Sequence, residues 1–186
     1  MLASALSLLA LAAASALAMK TNGTFRHPIG TPVFQVQLLT YLPVNVSIPG
    51  GGGIAAVPNL GGTIAGLFDG EIVGNVTGAT ETLLPSETGE YTHYENRIIF
   101  TNDAEDRIFL SMEGTITYAN NALHGFGYAT FQTTIPGLEW TNYAMFVVEW
   151  MADFFTGTGE AEIFHITTGG RIDGQPIDAL LPPKRR

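Results

Sequence analysis

Residues 91–97 place a titratable side chain at every second position. Tyr91, His93, Glu95 and Arg97 occupy every second position. In a regular strand they therefore share one face, while Tyr94, Ile98 and Phe100 share the other. A face carrying a phenol, an imidazole, a carboxylate and a guanidinium can donate and accept protons around a ligand. The same four groups also make an ordinary solvated outer face with a cross-strand Glu–Arg pair. Arg97 is one of 8 basic residues set against 17 acidic ones, so a carboxylate or a ligand carbonyl is expected to hold it. Glu113 and Gln132 sit at strand positions among apolar neighbours, where a polar group needs a partner.

Other chemistries find less support. The 4 histidines, His27, His93, His124 and His165, form no H-x-H or H-x-x-x-H pair, so no metal site is expected. The chain has 0 cysteines, which excludes thiolate zinc sites, iron–sulfur clusters, cysteine nucleophiles and disulfides. Ser86 and Ser111 lie outside any G-x-S-x-G elbow, which disfavours a hydrolytic triad. Glu71, Glu113 and Glu149 leave a paired-carboxylate glycosidase open, with Trp140 and Trp150 exposed in an aromatic groove. Tyr118, Phe126, Tyr128, Phe131, Trp140, Tyr143, Phe146 and Trp150 cluster in the last third of the chain. Most should be core, yet a cavity lined by Tyr and Trp with a few polar anchors is what an apolar ligand requires.

These residues need elements to position them. Runs rich in β-branched and aromatic residues recur between Gly, Pro, Asn and Asp clusters, and they predict strands at 33–41, 62–68, 71–76, 80–84, 90–101, 107–119, 125–134 and 160–167. Pro43 demotes 44–48 to an edge or a bulge. Asp69-Gly70 reads as a type I′ hairpin turn. Residues 102–106 read as an acidic hairpin loop, and 119–122 as the next turn. The glycine run at 50–53 lacks the Gly-Lys-Ser/Thr ending of a phosphate loop. In 142–155, Phe146, Trp150 and Phe154 follow helical spacing, as do Val147 and Met151. A helical turn giving way to a strand near Phe154 is expected there. Many strands with at most one short helix imply an all-β antiparallel barrel or sandwich, and a barrel of this size can enclose one small ligand.

The chain ends read differently. Residues 1–18 are almost all Ala, Leu and Ser, end in Ala16-Leu17-Ala18, and are followed by Lys20, the pattern of a secretory signal peptide. An N-terminal segment (19–32), a barrel domain (33–168) and an irregular tail (169–186) follow, the tail ending in a basic Lys184-Arg185-Arg186. Three N-glycosylation sequons, at Asn22, Asn45 and Asn75, fit export through the secretory pathway, to the exterior or an endomembrane lumen. A net charge of −9 argues against a nucleic-acid partner, which needs a basic face. No stable membrane insertion is expected after signal cleavage, and a homodimer stays open.

The order of short motifs resembles a known family. Gly61-Gly62-Thr63-Ile64-Ala65-Gly66, running through to Gly70-Glu71, looks like the opening of the widespread uncharacterised calycin-like β-barrels of the bacterial domain-of-unknown-function type. Arg97 before a long strand, Asn102-Asp103 in a turn and Glu113-Gly114 at a strand end continue the match. Phe131-Gln132-Thr133-Thr134 and Phe155-Thr156-Gly157-Thr158-Gly159 complete it, over about residues 34–166. Where the family carries Asp-Trp and Trp-Leu-Asn, this chain has Ala79-Thr80 and Glu149-Trp150-Met151. In size, export signal and barrel type the chain is also similar to the fungal hetero-Diels–Alderases of tropolone sesquiterpenoid pathways. That resemblance implies a cofactor-independent enzyme joining an oxadiene to a terpene alkene. Arg97, His93, Glu113 and Tyr128 would be its catalytic groups. Glu71, Tyr91, Tyr118, Gln132, Trp140 and Tyr143 would line the site of a small hydrophobic substrate. The same cavity without reacting groups would serve a lipocalin-like carrier or effector.

Overall fold

The computed structural model describes residues 23–86, 89–119, 122–153 and 155–177. Its strands are β1 Ile29–Thr40, β2 Val44–Ser47, β3 Gly53–Gly66, β4 Gly70–Ile72, β5 Gly78–Ser86, β6 Gly89–Thr101, β7 Arg107–Ala119, β8 Ala122–Thr133, β9 Met145–Asp153 and β10 Thr158–Thr167. Sequence neighbours pair antiparallel from β6 to β10, and β1 pairs with both β10 and β3. The sheet therefore closes on itself. β1 and β2 run along the same partner, β3, and are interrupted at 41–43, where Pro43 cannot donate to the ladder. β4 and β5 likewise share β3 and β6, interrupted at 73–77. Counting each interrupted pair as one, the ten strands make an eight-stranded up-and-down barrel. This is the all-β closed class expected from the strand pattern, and closure removes the exposed edges of an apolar sheet. β2 keeps one edge, since it pairs with β3 alone.

Every second residue points inward, and the size of those residues divides the interior in two. Toward one end, Phe34, Ile98, Phe100, Ile108, Leu110, Phe131, Phe146 and Ile163 are buried. The Phe131 ring lies 4.9 Å from both the Phe34 and Phe146 rings, so this end is packed solid. A 3-10 turn at Glu139–Asn142 leads into β9. Beside it, Ile135, Leu138 and Ala144 pack on this core, and the Asn142 side chain bonds both the amide and the carbonyl of Thr133 at 2.8 Å. Toward the other end the same strands present Val36, Leu38, Ala79, Met112, Ile116 and Ala161, which leave a void.

Three local expectations are corrected. The strand expected at 62–68 is the end of a longer β3 that begins at Gly53, and the one expected at 71–76 stops at Ile72, where β4 ends. Residues 145–153 form strand β9, and the only helical turn nearby precedes them. A spacing of four fits a helix and a strand alike. Phe146, Val148 and Trp150, all buried, show the period of two that decides for the strand. At Asp69-Gly70 the hairpin exists, but Ile64 pairs with Gly70, so the chain turns through residues 65–69 and the Asp69 carboxylate accepts from the Gly66 amide at 3.1 Å. The acidic loop after β6 is as expected, with Thr101 opposite Arg107 and Asn102 Oδ1 accepting from the amides of Ala104 and Asp106.

Residues 23–28 and 168–177 belong to a unit of their own, in which Phe25 bridges Arg171, and Arg171 pairs with Asp173 at 2.6 Å. The expected signal peptide and basic end lie outside the described residues. Among the described residues no helix is long and apolar enough to cross a membrane.

The seat of the Trp150 indole, which lines the void, depends on a missing side chain. Gly125 stands on β8 opposite Trp150 of β9, and a Cβ there would collide with the indole. Gly125→Ala should therefore lower stability by about 1–3 kcal/mol, checked as a fall in the urea midpoint; an unchanged midpoint would show that the indole has another place to go.

Candidate functional site

The hollow end encloses about 760 Å³, a volume within the ordinary range for small-molecule sites. Its wall is mostly aliphatic and aromatic, with Val36, Leu38, Val57, Met112, Ile116 and Trp150 among its members. Tyr41, Leu42, Val46 and Phe155 contribute at the end where β2 leaves the barrel without a second partner. The polar side chains that line it include Thr92, Tyr94, Glu81 and Tyr118.

Glu81 and Tyr118 form the reactive pair. Glu81 sits on β5 between the inward positions Ala79 and Leu83, and Tyr118 is an inward position of β7 near its end. The Tyr118 hydroxyl donates to Glu81 Oε2 at 2.7 Å. Burial pushes the Glu81 carboxyl above the usual range for glutamate, and the Tyr118 bond only partly opposes this. Burial, and then the bond to Glu81, raise the Tyr118 hydroxyl well above the ordinary tyrosine range. The pair thus combines a part-buried carboxyl that holds its proton longer than usual with a half-exposed phenol that stays neutral, an arrangement suited to an acid–base role at the cavity wall.

Of the residues expected to act, Tyr118 alone among those whose side chains are described lines this cavity. His93, Arg97 and Glu113 occupy the other parity of β6 and β7, and Tyr128 that of β8, so they stand on the outer wall. There they do come together. His93 Nε2 lies 3.4 Å from Glu113 and 3.7 Å from Glu95, while Arg97 lies 3.8 Å from Glu95. Tyr128 is hydrogen-bonded to Glu113, which raises its hydroxyl pKa. His93, Glu95 and Glu113 offer donor atoms within 4.8 Å of one another, the ligand set for a cation among the described residues, but outside the cavity.

The remaining expected contacts scatter. Glu71 and Gln132 are exposed on outward positions. The Trp140 ring packs at a tilt against His165, 4.9 Å between centroids, beside the packed end, and Tyr143 is 90 % exposed. The Tyr91 side chain lies outside the described residues. Phe126 and Tyr128 are exposed, so fewer of the late aromatics are core than expected. Trp150 is buried, which leaves no groove shared with Trp140. Asn45 is exposed and borders the cavity, Asn75 is exposed in the 73–77 interruption, and Asn22 lies outside the described residues. Glu81 was missed by sequence reasoning. Its signal was a carboxylate in the alternation Ala79, Glu81, Leu83, whose flanking members face inward.

Solved structures share this architecture. A beta-barrel like protein from Acinetobacter baumannii superposes with a TM-score of 0.63 at 15% identity, over 80% of this chain and 100% of that one. A conserved protein of unknown function from Rhodopseudomonas palustris gives 0.63 at 13% identity, over 76% and 99%. An enzyme from Penicillium herquei gives 0.53 at 16% identity, over 80% and 100%. At these identities the likeness shows the fold. No family model matches the chain, and no curated protein matches its sequence. Fold and cavity together define an antiparallel β-barrel with a ligand-sized apolar interior.

The raised Glu81 pKa has a sign that can be measured. A carboxyl that binds its proton more tightly folded than unfolded contributes stability at low pH and loses it as pH rises through the folded value. Glu81→Gln should therefore have a higher urea midpoint than the native chain at neutral pH, and the difference should vanish below about pH 4. A difference independent of pH would place its cause elsewhere.

Proposed function

We propose that the protein is an exported, cofactor-independent enzyme that encloses a hydrophobic natural product and joins or cyclises it, in its specific form by hetero-Diels–Alder addition of a tropolone-derived oxadiene to a terpene alkene. The observation that carries the reading is a part-buried carboxyl with a raised pKa, bonded to a phenol, on the wall of a largely apolar cavity. The presence of an enzyme among proteins of this fold supports it. The exposed sequon residues Asn45 and Asn75 leave room for sugars, in keeping with an exported chain.

The chemistry asks little of the protein beyond placement and a proton. Holding the two reactants in near-attack geometry can supply roughly 7–11 kcal/mol at best. Protonated Glu81 would give its proton to the leaving hydroxyl of a hydroxymethyl tropolone. The carbon–oxygen bond breaks, the ring hydroxyl returns a proton to the carboxylate, and one water is lost. The neutral oxadiene left behind adds to the alkene with no further proton movement. Tyr118 would steady Glu81 and hydrogen-bond the developing oxygen charge. In this reading the acid–base role falls to Glu81 rather than to Glu113 on the outer wall.

The test is to mix the protein with a hydroxymethyl tropolone and a terpene alkene and to follow adduct formation by chiral chromatography. One stereoisomer should form faster than in buffer, and Glu81→Gln should lower turnover by about 10²-fold. His93→Ala should cost less than Glu81→Gln. A protein that binds the terpene but gives the product mixture and rate of buffer alone is a carrier, and the enzymatic reading falls.

A further inference from the structure

The cavity has a second polar anchor, farther in than Glu81 and Tyr118. Asn59 of β3 and Asn96 of β6 are both 0 % exposed. Asn59 Nδ2 donates to the backbone carbonyl of Arg97 at 3.0 Å, and a carbonyl can only accept, which orients the Asn59 amide. Asn59 Nδ2 also donates to Asn96 Oδ1 at 2.9 Å, and Asn96 Nδ2 donates back to Asn59 Oδ1 at 3.3 Å. The remaining hydrogen of Asn96 Nδ2 goes to the Tyr94 hydroxyl oxygen at 2.9 Å. Two buried amides thus force the Tyr94 oxygen to be an acceptor within the chain. Its own hydrogen has no acceptor among the described residues. Tyr94 is buried by the protein yet lines the cavity, and its ring is held 4.8 Å from the Trp150 indole. A buried hydroxyl hydrogen without a partner costs free energy unless a ligand supplies one. Burial also raises the Tyr94 hydroxyl above the ordinary tyrosine range, so it remains a neutral donor.

We propose that the Tyr94 hydroxyl, oriented by Asn96 and Asn59, is the inner hydrogen-bond donor of the cavity and takes a carbonyl or enolate oxygen of the ligand. It rests on the same cavity being the binding site proposed above, and it narrows the ligand class. The ligand is apolar over most of its surface, with an oxygen acceptor at its inner end and a second polar group near Glu81 and Tyr118. Apolar contacts alone would let such a molecule enter in either direction, and the Tyr94 donor selects one.

Fluorenone and fluorene test this, since they differ only in a carbonyl. Each is titrated into the full chain and followed by quenching of tryptophan emission, to which Trp150 beside Tyr94 contributes. Fluorenone should bind about tenfold more tightly, and its carbonyl stretching band should fall below its position in an alkane solvent. Tyr94→Phe should abolish the preference and the band shift while keeping the affinity for fluorene. Because the phenylalanine variant leaves the Asn96 amide one partner short, the band of fluorenone bound to native protein serves as a measurement independent of the variant. Equal binding of the two compounds with an unshifted band overturns the proposal, as does a preference that survives Tyr94→Phe. Binding of neither compound overturns it together with the cavity reading. A ketone preference without adduct formation removes the enzymatic reading alone.

Discussion

The pairing of β1 with both β3 and β10 is the constraint on which the rest of the structure depends. It turns a twisted sheet with two edges into a tube, and in a tube every second side chain must share one enclosed interior. The chain then has to fill that interior or leave it hollow. Phe131, packed against both Phe34 and Phe146, fills one end. Toward the other, small and medium side chains and a glycine opposite Trp150 leave the void. One stretch of barrel wall therefore supplies both the stability and the site.

Polar groups inside such a tube are desolvated, so each must be partnered or must serve a ligand. The Asn59–Asn96 amide pair shows the first case. Asn59 also secures the break between β4 and β5, because its backbone amide donates to Thr77 and its carbonyl accepts from Asn75. The same residue thus holds an interrupted strand through its backbone and, through its side chain and Asn96, fixes the hydrogen bond of the Tyr94 hydroxyl. Glu81 shows the second case. Its carboxyl has a phenol for a partner, but burial still favours the protonated form. Structure and chemistry are coupled here by desolvation, the cost that makes a buried carboxyl a proton donor.

The outer wall follows the opposite rule. Glu95 and Glu113 face each other directly across β6 and β7, with His93 beside both and the Arg97 guanidinium beside Glu95. The grouping has the residue types of an acid–base site, but solvent screens its charges. Residue type drew attention to this face, whereas burial decides where charge and proton affinity are most altered.

The amino-acid sequence by itself determined the approximate limits of β1 and of β5 to β8 and β10, the hairpins after β6 and β7, the edge character of β2 and the all-β antiparallel class. Those features follow from local alternation and from turn residues such as Pro43 and Asn102, whose effects reach only a few positions along the chain. It also separated Tyr94, Ile98 and Phe100 from His93, Glu95 and Arg97, because the period of two is local. Only the tertiary structure decided that the first set faces the cavity and core, that Glu81 and Tyr118 meet across 37 residues of sequence, and that Asn59 reaches Asn96. It likewise decided that 145–153 is a strand, since spacing by four is common to both periods and only pairing with β8 and β10 separates them. The physical reason is that contacts across the barrel depend on closure and on the volumes of side chains far apart in the chain, and neither is written in any local pattern.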